Sequence, residues 1–165
     1  MSIPSGFIRL SGPIEHDNIV NGPGLRAVIW TQGCRQHCPG CQNPETWDET
    51  TGVLVPITEV KDRLRSLRGQ TGLTFCGGEP LLQAGPCLEI SRWARQELGW
   101  SIWSFTGLVL EKIPKNTPEW DFLCSLDALI DGPFIEAQRD LRLLWRGSRN
   151  QRLLHLKNGE ILSVE

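Results

Sequence analysis

The chain lacks features that are typical of several large classes of protein. Its 165 residues include no tyrosine, one methionine and three histidines, and its formal net charge is −2. This net charge argues against a nucleic-acid interface, which would need a clustered basic face. No apolar run approaches the roughly 20 residues of a membrane span, and the N-terminus has no signal-peptide pattern. These absences predict a cytoplasmic protein that binds neither nucleic acid nor membrane.

Two further absences concern catalysis and domain structure. His16, His37 and His155 stand at no triad-like spacing from a serine or cysteine, so none is interpreted as a catalytic residue. The sequence has neither an internal repeat nor a low-complexity linker, and we expect residues 1–165 to form a single domain. Arginines gather between Arg139 and Arg152, where they alternate with apolar and acidic residues. Such a pattern is typical of a solvated or partner-facing surface.

Half of the six cysteines lie in one short segment, Gly33-Cys34-Arg35-Gln36-His37-Cys38-Pro39-Gly40-Cys41. The C-x3-C-x2-C spacing suits an iron–sulfur cubane, which normally takes four cysteine ligands, one for each iron. Three thiolates leave one iron open, and an open metal position is typical of a site that performs chemistry. Gly33 and Gly40 allow the backbone to wrap closely and to direct N–H groups at cluster sulfurs.

Zinc is the alternative metal for this loop. A zinc site would use the three cysteines and a distant fourth ligand, but such sites usually contain two separated cysteine pairs, and no second pair exists here. His37 adjoins Cys38 and is poorly placed to join the same tetrahedron. Cys76, Cys87 and Cys124 stand alone in sequence, and isolated cysteines of this kind are usually small core residues.

Apolar runs alternate with helical patterns along most of the chain. Strands are predicted at residues 7–10, 25–30, 73–75, 100–105 and 126–130. Helices are predicted at residues 58–67, with Thr58 as the N-cap, and at about 85–98, with Gly99 as the terminator. Residues 153–156 and 161–164 flank Asn158-Gly159 and predict a C-terminal hairpin. Strands separated by helices favour an α/β fold with a mostly parallel sheet.

Polar, glycine-containing turns directly follow four of the predicted strands. They are the cysteine loop, Gly77-Gly78-Glu79-Pro80, Thr106-Gly107 and Asp131-Gly132-Pro133. Because ligands gather beyond the carboxyl ends of parallel strands, we expect these turns to share one rim. In the second turn, two glycines would let a ligand approach the backbone, and carbonyls with the Glu79 carboxylate would suit an ammonium group. Asp131 either caps a turn or binds a ligand.

Taken together, these segments make the chain resemble radical S-adenosylmethionine (SAM) enzymes, and within them the glycyl-radical activating enzymes of anaerobic ribonucleotide reductases. The cysteine motif alone identifies the superfamily. The subgroup rests on further matches at Asn21-Gly22-Pro23-Gly24, Asn43, Thr46-Trp47, Gly77-Gly78-Glu79-Pro80, Ile102-Trp103, Thr106-Gly107, Asp131-Gly132-Pro133-Phe134, Trp145-Arg146-Gly147-Ser148 and Asn150-Gln151.

The resemblance implies a role for each part of the rim. Cys34, Cys38 and Cys41 would bind a [4Fe-4S] cluster whose fourth iron takes the amino and carboxylate groups of SAM. The cofactor-binding residues would be Gly40, Gly77, Gly78, Glu79, Thr106 and Asp131. An electron from a flavodoxin- or ferredoxin-like donor would cleave SAM, and the 5′-deoxyadenosyl radical would take hydrogen from a glycine of a large partner reductase. The radical chemistry then belongs to the cluster and SAM rather than to a catalytic side chain.

Chain length limits the fold that the resemblance implies. A complete (β/α)8 barrel needs about 250 residues. The chain is therefore expected to form a partial, open-sided barrel of about five to six mostly parallel strands, with the hairpin at its C-terminus. Two alternatives stay open at this stage. One is a radical SAM enzyme acting on another glycyl-radical protein of the pyruvate formate-lyase type or on a small molecule, and the other is a non-catalytic metal-binding domain.

Overall fold

The computed structural model describes residues 3–165, which form nine strands in one sheet and three α-helices. The strands are β1 Phe7–Leu10, β2 Glu15–Asn18, β3 Arg26–Thr31, β4 Val53–Pro56, β5 Gly72–Gly77, β6 Ser101–Phe105, β7 Ala128–Asp131, β8 Arg152–Lys157 and β9 Glu160–Val164. The helices are α1 Ile57–Ser66, α2 Ala84–Leu98 and α3 Pro118–Cys124. No helix in this part of the chain is long and apolar enough to cross a membrane.

The sheet is mixed, with parallel strands at its centre and antiparallel strands on both sides. Its order is β4-β1-β3-β5-β6-β7-β8-β9, with β2 paired to β3. Parallel pairing joins β3, β5, β6 and β7, whereas the remaining pairings are antiparallel. The α/β class is confirmed, but the expected five to six mostly parallel strands are wrong. Strands β2 and β4 were not predicted, because both are four-residue strands without a buried apolar face.

All three helices contribute to a core on one face of the sheet. Helix α1 buries Ile57, Val60 and Leu64, whose spacing places them on one side of the helix. The helix begins at Ile57 directly after Pro56, so the predicted N-cap at Thr58 is wrong. Helix α2 ends as predicted at Gly99, which adopts a left-handed φ of 68°.

Helix α3 was not predicted from the sequence. Its seven residues are too few to show a helical period, but its start carries clear signals. Thr117 is the N-cap and accepts a hydrogen bond from the Trp120 N–H at 3.2 Å, and Pro118 occupies the first helical position. The helix buries Phe122, whose ring meets Phe75 of β5 edge-on at 5.3 Å.

The opposite face of the sheet carries a smaller apolar cluster of Trp103, Ala128, Ile130 and Leu153. Beside it, near the amino ends of the parallel strands, Arg26 is almost completely buried. Its guanidinium donates to Thr74 Oγ1 and to the Leu73 carbonyl and lies 5.3 Å from the Trp103 ring centre. Burial lowers the pKa of Arg26 to about 10.

The last two strands, β8 and β9, form an antiparallel pair at one edge of the sheet. Strands β8 and β9 pair from Lys157 opposite Glu160 to Leu154 opposite Val164. Asn158 and Gly159 connect them with φ values of 51° and 78°, the positive angles that a tight type I′ turn requires. Strand β8 also pairs with β7, so the hairpin extends the central sheet.

Candidate iron–sulfur and cofactor site

Four loops meet at the carboxyl ends of the parallel strands, as the sequence predicted. Thr31 of β3 lies opposite Gly77 of β5, and Phe105 of β6 lies opposite Ile130 of β7. Between the loops is a cavity of about 440 Å³. The predicted site residues that line it are Cys34, Cys38, Cys41, Gly77, Gly78, Glu79 and Thr106.

The cysteine loop is held in place by backbone hydrogen bonds to the segment that follows it. The Gly33 N–H donates to the Thr46 carbonyl at 2.7 Å, and the Cys34 N–H donates to the Trp47 carbonyl at 3.1 Å. Within the loop, the Cys41 N–H donates to the Cys38 carbonyl at 3.1 Å. Its three cysteines are free and partly buried. Three unpaired thiols therefore line one cavity on a constrained loop.

The chemistry of this donor set fits a cluster. Within residues 3–165, no three histidine, cysteine or acidic side chains are gathered closely enough to hold a single metal ion. A cubane needs a wider arrangement, because each cysteine binds a different iron. The Asn43 N–H lies 3.4 Å from the Cys41 sulfur, the kind of contact that tunes a cluster. Burial raises the pKa of the Cys34 thiol, so metal binding there must displace a proton.

His37 has a local structural role. It adopts a positive φ of 45°, and its ring stacks on Trp47 with centres 4.7 Å apart. Trp47 lines the cavity, whereas His37 does not belong to the lining. The stack therefore fixes the turn between Cys34 and Cys38 from outside.

The Gly77-Gly78-Glu79 turn is joined directly to the cysteine loop. The Gly78 N–H donates to the Thr31 carbonyl at 2.8 Å, and the Glu79 N–H donates to the Gly33 carbonyl at 2.7 Å. A Cβ at Gly78 would lie 2.3 Å from the Gly33 oxygen, and one at Gly77 would lie 2.6 Å from the Thr31 oxygen. The absence of side chains at Gly77 and Gly78 thus makes room for neighbouring backbone, a packing role that was not predicted from the sequence.

Glu79 is buried, and both of its carboxylate oxygens accept hydrogen bonds. Oε1 accepts from the Leu81 N–H at 3.1 Å, and Oε2 accepts from Thr106 Oγ1 at 3.0 Å and from the Gly107 N–H at 2.8 Å. Burial raises the pKa of Glu79, and these hydrogen bonds act in the opposite direction. The carboxylate therefore ties the end of β5 to the end of β6 and remains on the cavity wall.

Gly40 and Asp131 are not among the described residues that line the cavity. Asp131 is buried, accepts from the Leu110 N–H at 2.9 Å and forms an ion pair with Arg152 at 2.5 Å. A Cβ at Gly40 would lie 2.7 Å from the carboxyl carbon of Glu136. Their direct contact with a cofactor stays a prediction.

Sequence reasoning missed part of the cavity wall. Cys76 lies at the end of β5 beside Asn21, whose side-chain amide is 3.7 Å from its sulfur. Burial raises the pKa of the Cys76 thiol to about 12. Trp145 and Arg146 also line the cavity, although their polar segment looked like a solvated loop. The resemblance singled out Asn21 and Trp145-Arg146 without giving them a role, and only the position of Cys76 after a predicted strand could have signalled its location.

Comparison with known proteins places these features in a family. Residues 20–154 match the family described as 4Fe-4S single cluster domain. The chain is 34% identical over 149 residues to the anaerobic ribonucleoside-triphosphate reductase-activating protein of Escherichia coli K12, covering 85% of this chain and 94% of that protein. The protein of the same name from Enterobacteria phage T4 is 37% identical over 142 residues, covering 82% and 87% of the two chains.

A solved structure provides a comparison of the fold alone. The chain is similar to the crystal structure of QueE from Escherichia coli, with a TM-score of 0.50 and 15% sequence identity. The match covers 61% of this chain and 53% of QueE, so it spans about half of that structure. The sequence comparisons confirm the family expected from the motifs: the chain belongs to the anaerobic ribonucleoside-triphosphate reductase-activating proteins and contains a 4Fe-4S single cluster domain.

Proposed function

We propose that this protein is a radical SAM enzyme that generates a glycyl radical on an anaerobic ribonucleoside-triphosphate reductase. The observation that carries the proposal is the meeting of three free cysteines with Glu79 and Thr106 around one cavity. The relatives named above are activating proteins for such a reductase, which supports the identity of the partner. The cofactors are a [4Fe-4S] cluster and SAM.

Cys34, Cys38 and Cys41 are the proposed cluster ligands. They are free thiols on one cavity wall, and the backbone hydrogen bonds at Gly33 and Cys34 hold the loop before any metal is bound. With three protein ligands, one iron remains for the cosubstrate. Apolar side chains of Trp30, Phe105 and Phe134 form part of the same wall and reduce the access of water.

Gly77, Gly78, Glu79 and Thr106 are the proposed SAM-binding residues. Glu79 supplies a carboxylate whose direction is fixed by three hydrogen bonds: Oε2 accepts two of them, whereas Oε1 accepts one and retains acceptor capacity for an ammonium group. Thr106 donates to this carboxylate and thereby fixes its direction. Gly40 and Asp131 do not line the cavity, and we propose that they stabilise the loops that form it. Asp131 does so through its ion pair with Arg152, which fixes the end of β7.

When bound, the cluster and SAM supply reductive cleavage of the cosubstrate and removal of a hydrogen atom from a glycine of the partner. The protein's own task is to orient the two groups and to exclude water. We propose that the sheet forms the open-sided partial barrel of a single radical SAM domain. Its three helices cover one face, which leaves the cavity side open to a protein substrate.

The physiological electron donor is proposed to be a flavodoxin- or ferredoxin-like protein. All three cysteines of the loop remain partly exposed to solvent, so a small redox protein can approach the cluster closely. Arg35 beside Cys34 is exposed and paired with Glu49 at 2.6 Å, so the loop surface carries both signs of charge.

The decisive experiment combines cofactor chemistry with radical formation. Protein reconstituted anaerobically with iron and sulfide should hold about one cubane per chain and, with dithionite and SAM, should form 5′-deoxyadenosine. Addition of the reductase from the same source should then produce a glycine-centred electron paramagnetic resonance signal. An intact cluster without 5′-deoxyadenosine would refute the enzymatic assignment. The nucleoside without the glycine signal would favour another substrate.

A pair of cysteine variants tests the ligand assignment. Cys38→Ala should lose the cluster and all 5′-deoxyadenosine formation. Cys124→Ala should retain both, because Cys124 ends α3 and is not among the described residues lining the cavity. A fully loaded cubane in Cys38→Ala would show that the ligands are assigned wrongly.

A further inference from the structure

Large apolar side chains are exposed on the cavity wall and next to it in the chain, at positions that packing does not explain. Leu141 and Leu144 are 83% and 64% exposed, and Ile19 and Val20 are each 68% exposed. Val20 and Leu141 line the cavity, whereas Ile19 and Leu144 do not line it and lie close to them in the chain. We call these four residues the mouth surface. Exposed apolar groups at the edge of a cavity commonly mark a binding surface.

The two halves of the mouth surface lie on opposite sides of the parallel strands. Ile19 and Val20 follow β2, which pairs with β3 at one side of the parallel set. Leu141 and Leu144 lie in the loop after β7, at the other side of that set. A segment that entered the cavity would therefore meet apolar groups on both sides.

The loop of residues 139–148 is built to hold its leucines outward. A bridge between Arg139 and Ser148 closes the base of the loop, and the Asp140 N–H donates to the Gly147 carbonyl at 3.2 Å. Trp145 anchors it by packing edge-on against Trp103 with ring centres 5.1 Å apart. A loop fixed at its base and anchored by a tryptophan exposes Leu144 as part of its defined structure.

The positive charge of the same loop indicates the charge expected of a partner that binds there. Residues 139–149 contain four arginines and one aspartate, although the whole chain has a net charge of −2. Arg139, Arg142 and Arg149 are exposed there, and Arg142 pairs with Asp140 at 2.9 Å. Positive charge concentrated beside an apolar surface favours a partner with carboxylates near apolar side chains.

We propose that the mouth surface docks the glycine-bearing segment of the reductase, with its apolar side chains against Ile19, Val20, Leu141 and Leu144 and its carboxylates against the arginines of the 139–148 loop and Arg149. The inference rests on the proposed function and names the surface through which it is exercised. Docking there places the segment over the opening of the cavity that holds the three cysteines.

The test compares Leu144→Ser and Ile19→Ser with a matched control, Leu162→Ser. Leu144 and Leu162 are both 64% exposed, and neither lines the cavity. They differ in position, because Leu162 lies on β9 and is not part of the mouth surface. Using holoenzyme, we expect kcat/KM for glycyl-radical formation on the reductase to fall about tenfold in the first two variants and less than twofold in the control. Formation of 5′-deoxyadenosine without reductase should be unchanged in all three.

The charge contribution is tested with Arg149→Glu against Arg68→Glu. Both arginines are exposed, and only Arg149 adjoins the mouth surface. The first variant should weaken reductase activation and reduce its dependence on salt, whereas the second should not.

Wild-type rates in Leu144→Ser and Ile19→Ser would overturn the docking surface while leaving the proposed function intact. A change of oligomeric state in these variants, with normal reductase activation, would assign the surface to a second copy of this chain and would also overturn it. Failure of the wild-type enzyme to form the glycyl radical would instead contradict the proposed function itself.

Discussion

Gly78→Ala is expected to damage the site through backbone packing alone. The new Cβ would lie 2.3 Å from the Gly33 oxygen, and the adjacent Glu79 N–H donates to that same oxygen at 2.7 Å. Forcing a methyl group into a packed site costs about 1–3 kcal/mol. Loss of one backbone hydrogen bond adds about 0.5–1.5 kcal/mol. The free energy of unfolding should therefore fall by about 1.5–4.5 kcal/mol.

Gly85→Ala is the matched control for this change. A Cβ at Gly85 meets nothing within 4 Å, and the residue lies in the first turn of α2. The alanine should stabilise the protein by about 0.4–1 kcal/mol, because it restricts the unfolded chain. Urea denaturation of both variants under anaerobic conditions, with iron content measured on reconstituted samples, separates them. If Gly78→Ala matched Gly85→Ala in stability and held a full cluster, the loop-packing explanation would be refuted.

Two other predictions concern buried charge. Arg152→Met should destabilise the protein by about 3–5 kcal/mol in chemical denaturation, because it leaves the buried Asp131 carboxylate unpaired; the exposed Arg95–Asp127 pair is the control, and Arg95→Met should cost about 1 kcal/mol or less. Equal losses would contradict the burial argument. Burial raises the folded-state pKa of Glu79, so its contribution is fully present below the usual value of 4.5 and is lost as pH rises through the raised pKa. The free energy of unfolding of the cluster-free wild type, measured relative to Glu79→Gln, should accordingly decline as pH rises from 4.5 through the raised pKa. An increase of the wild type's relative stability over this pH range would contradict the argument.

The rim of the site was predictable because it depends on local signals. Each of the four central strands ends in a turn containing glycine, and parallel pairing brings those ends to one edge. The position of the cysteine loop beside Gly77 and Glu79 therefore follows from the order of elements. Helix α2 was similarly predictable, since it has both a helical period and a terminating Gly99.

The parts that were missed depend on contacts between distant segments. Trp145 reaches the cavity because a positive φ of 57° and the packing against Trp103 turn it inward, and no local pattern encodes this contact. Strand β4 forms because β1 offers it an open edge across four residue pairs. Such pairing is decided by the partner strand rather than by the propensity of a four-residue segment.

The cysteine loop is organised by the sheet before any cluster is bound. The Gln32 side-chain amide donates to the Glu45 and Asp48 carbonyls at 3.0 and 2.9 Å, which fixes the segment that follows the third cysteine. From the other side, the Gln83 amide donates to the Gln32 carbonyl at 2.9 Å and to the Arg9 carbonyl at 2.8 Å. Both glutamines are buried, so breaking either network would leave unpaired polar groups inside the protein. The loop therefore presents its three thiols on a rigid base, and assembly of the cluster requires proton loss and metal insertion more than reordering of the backbone.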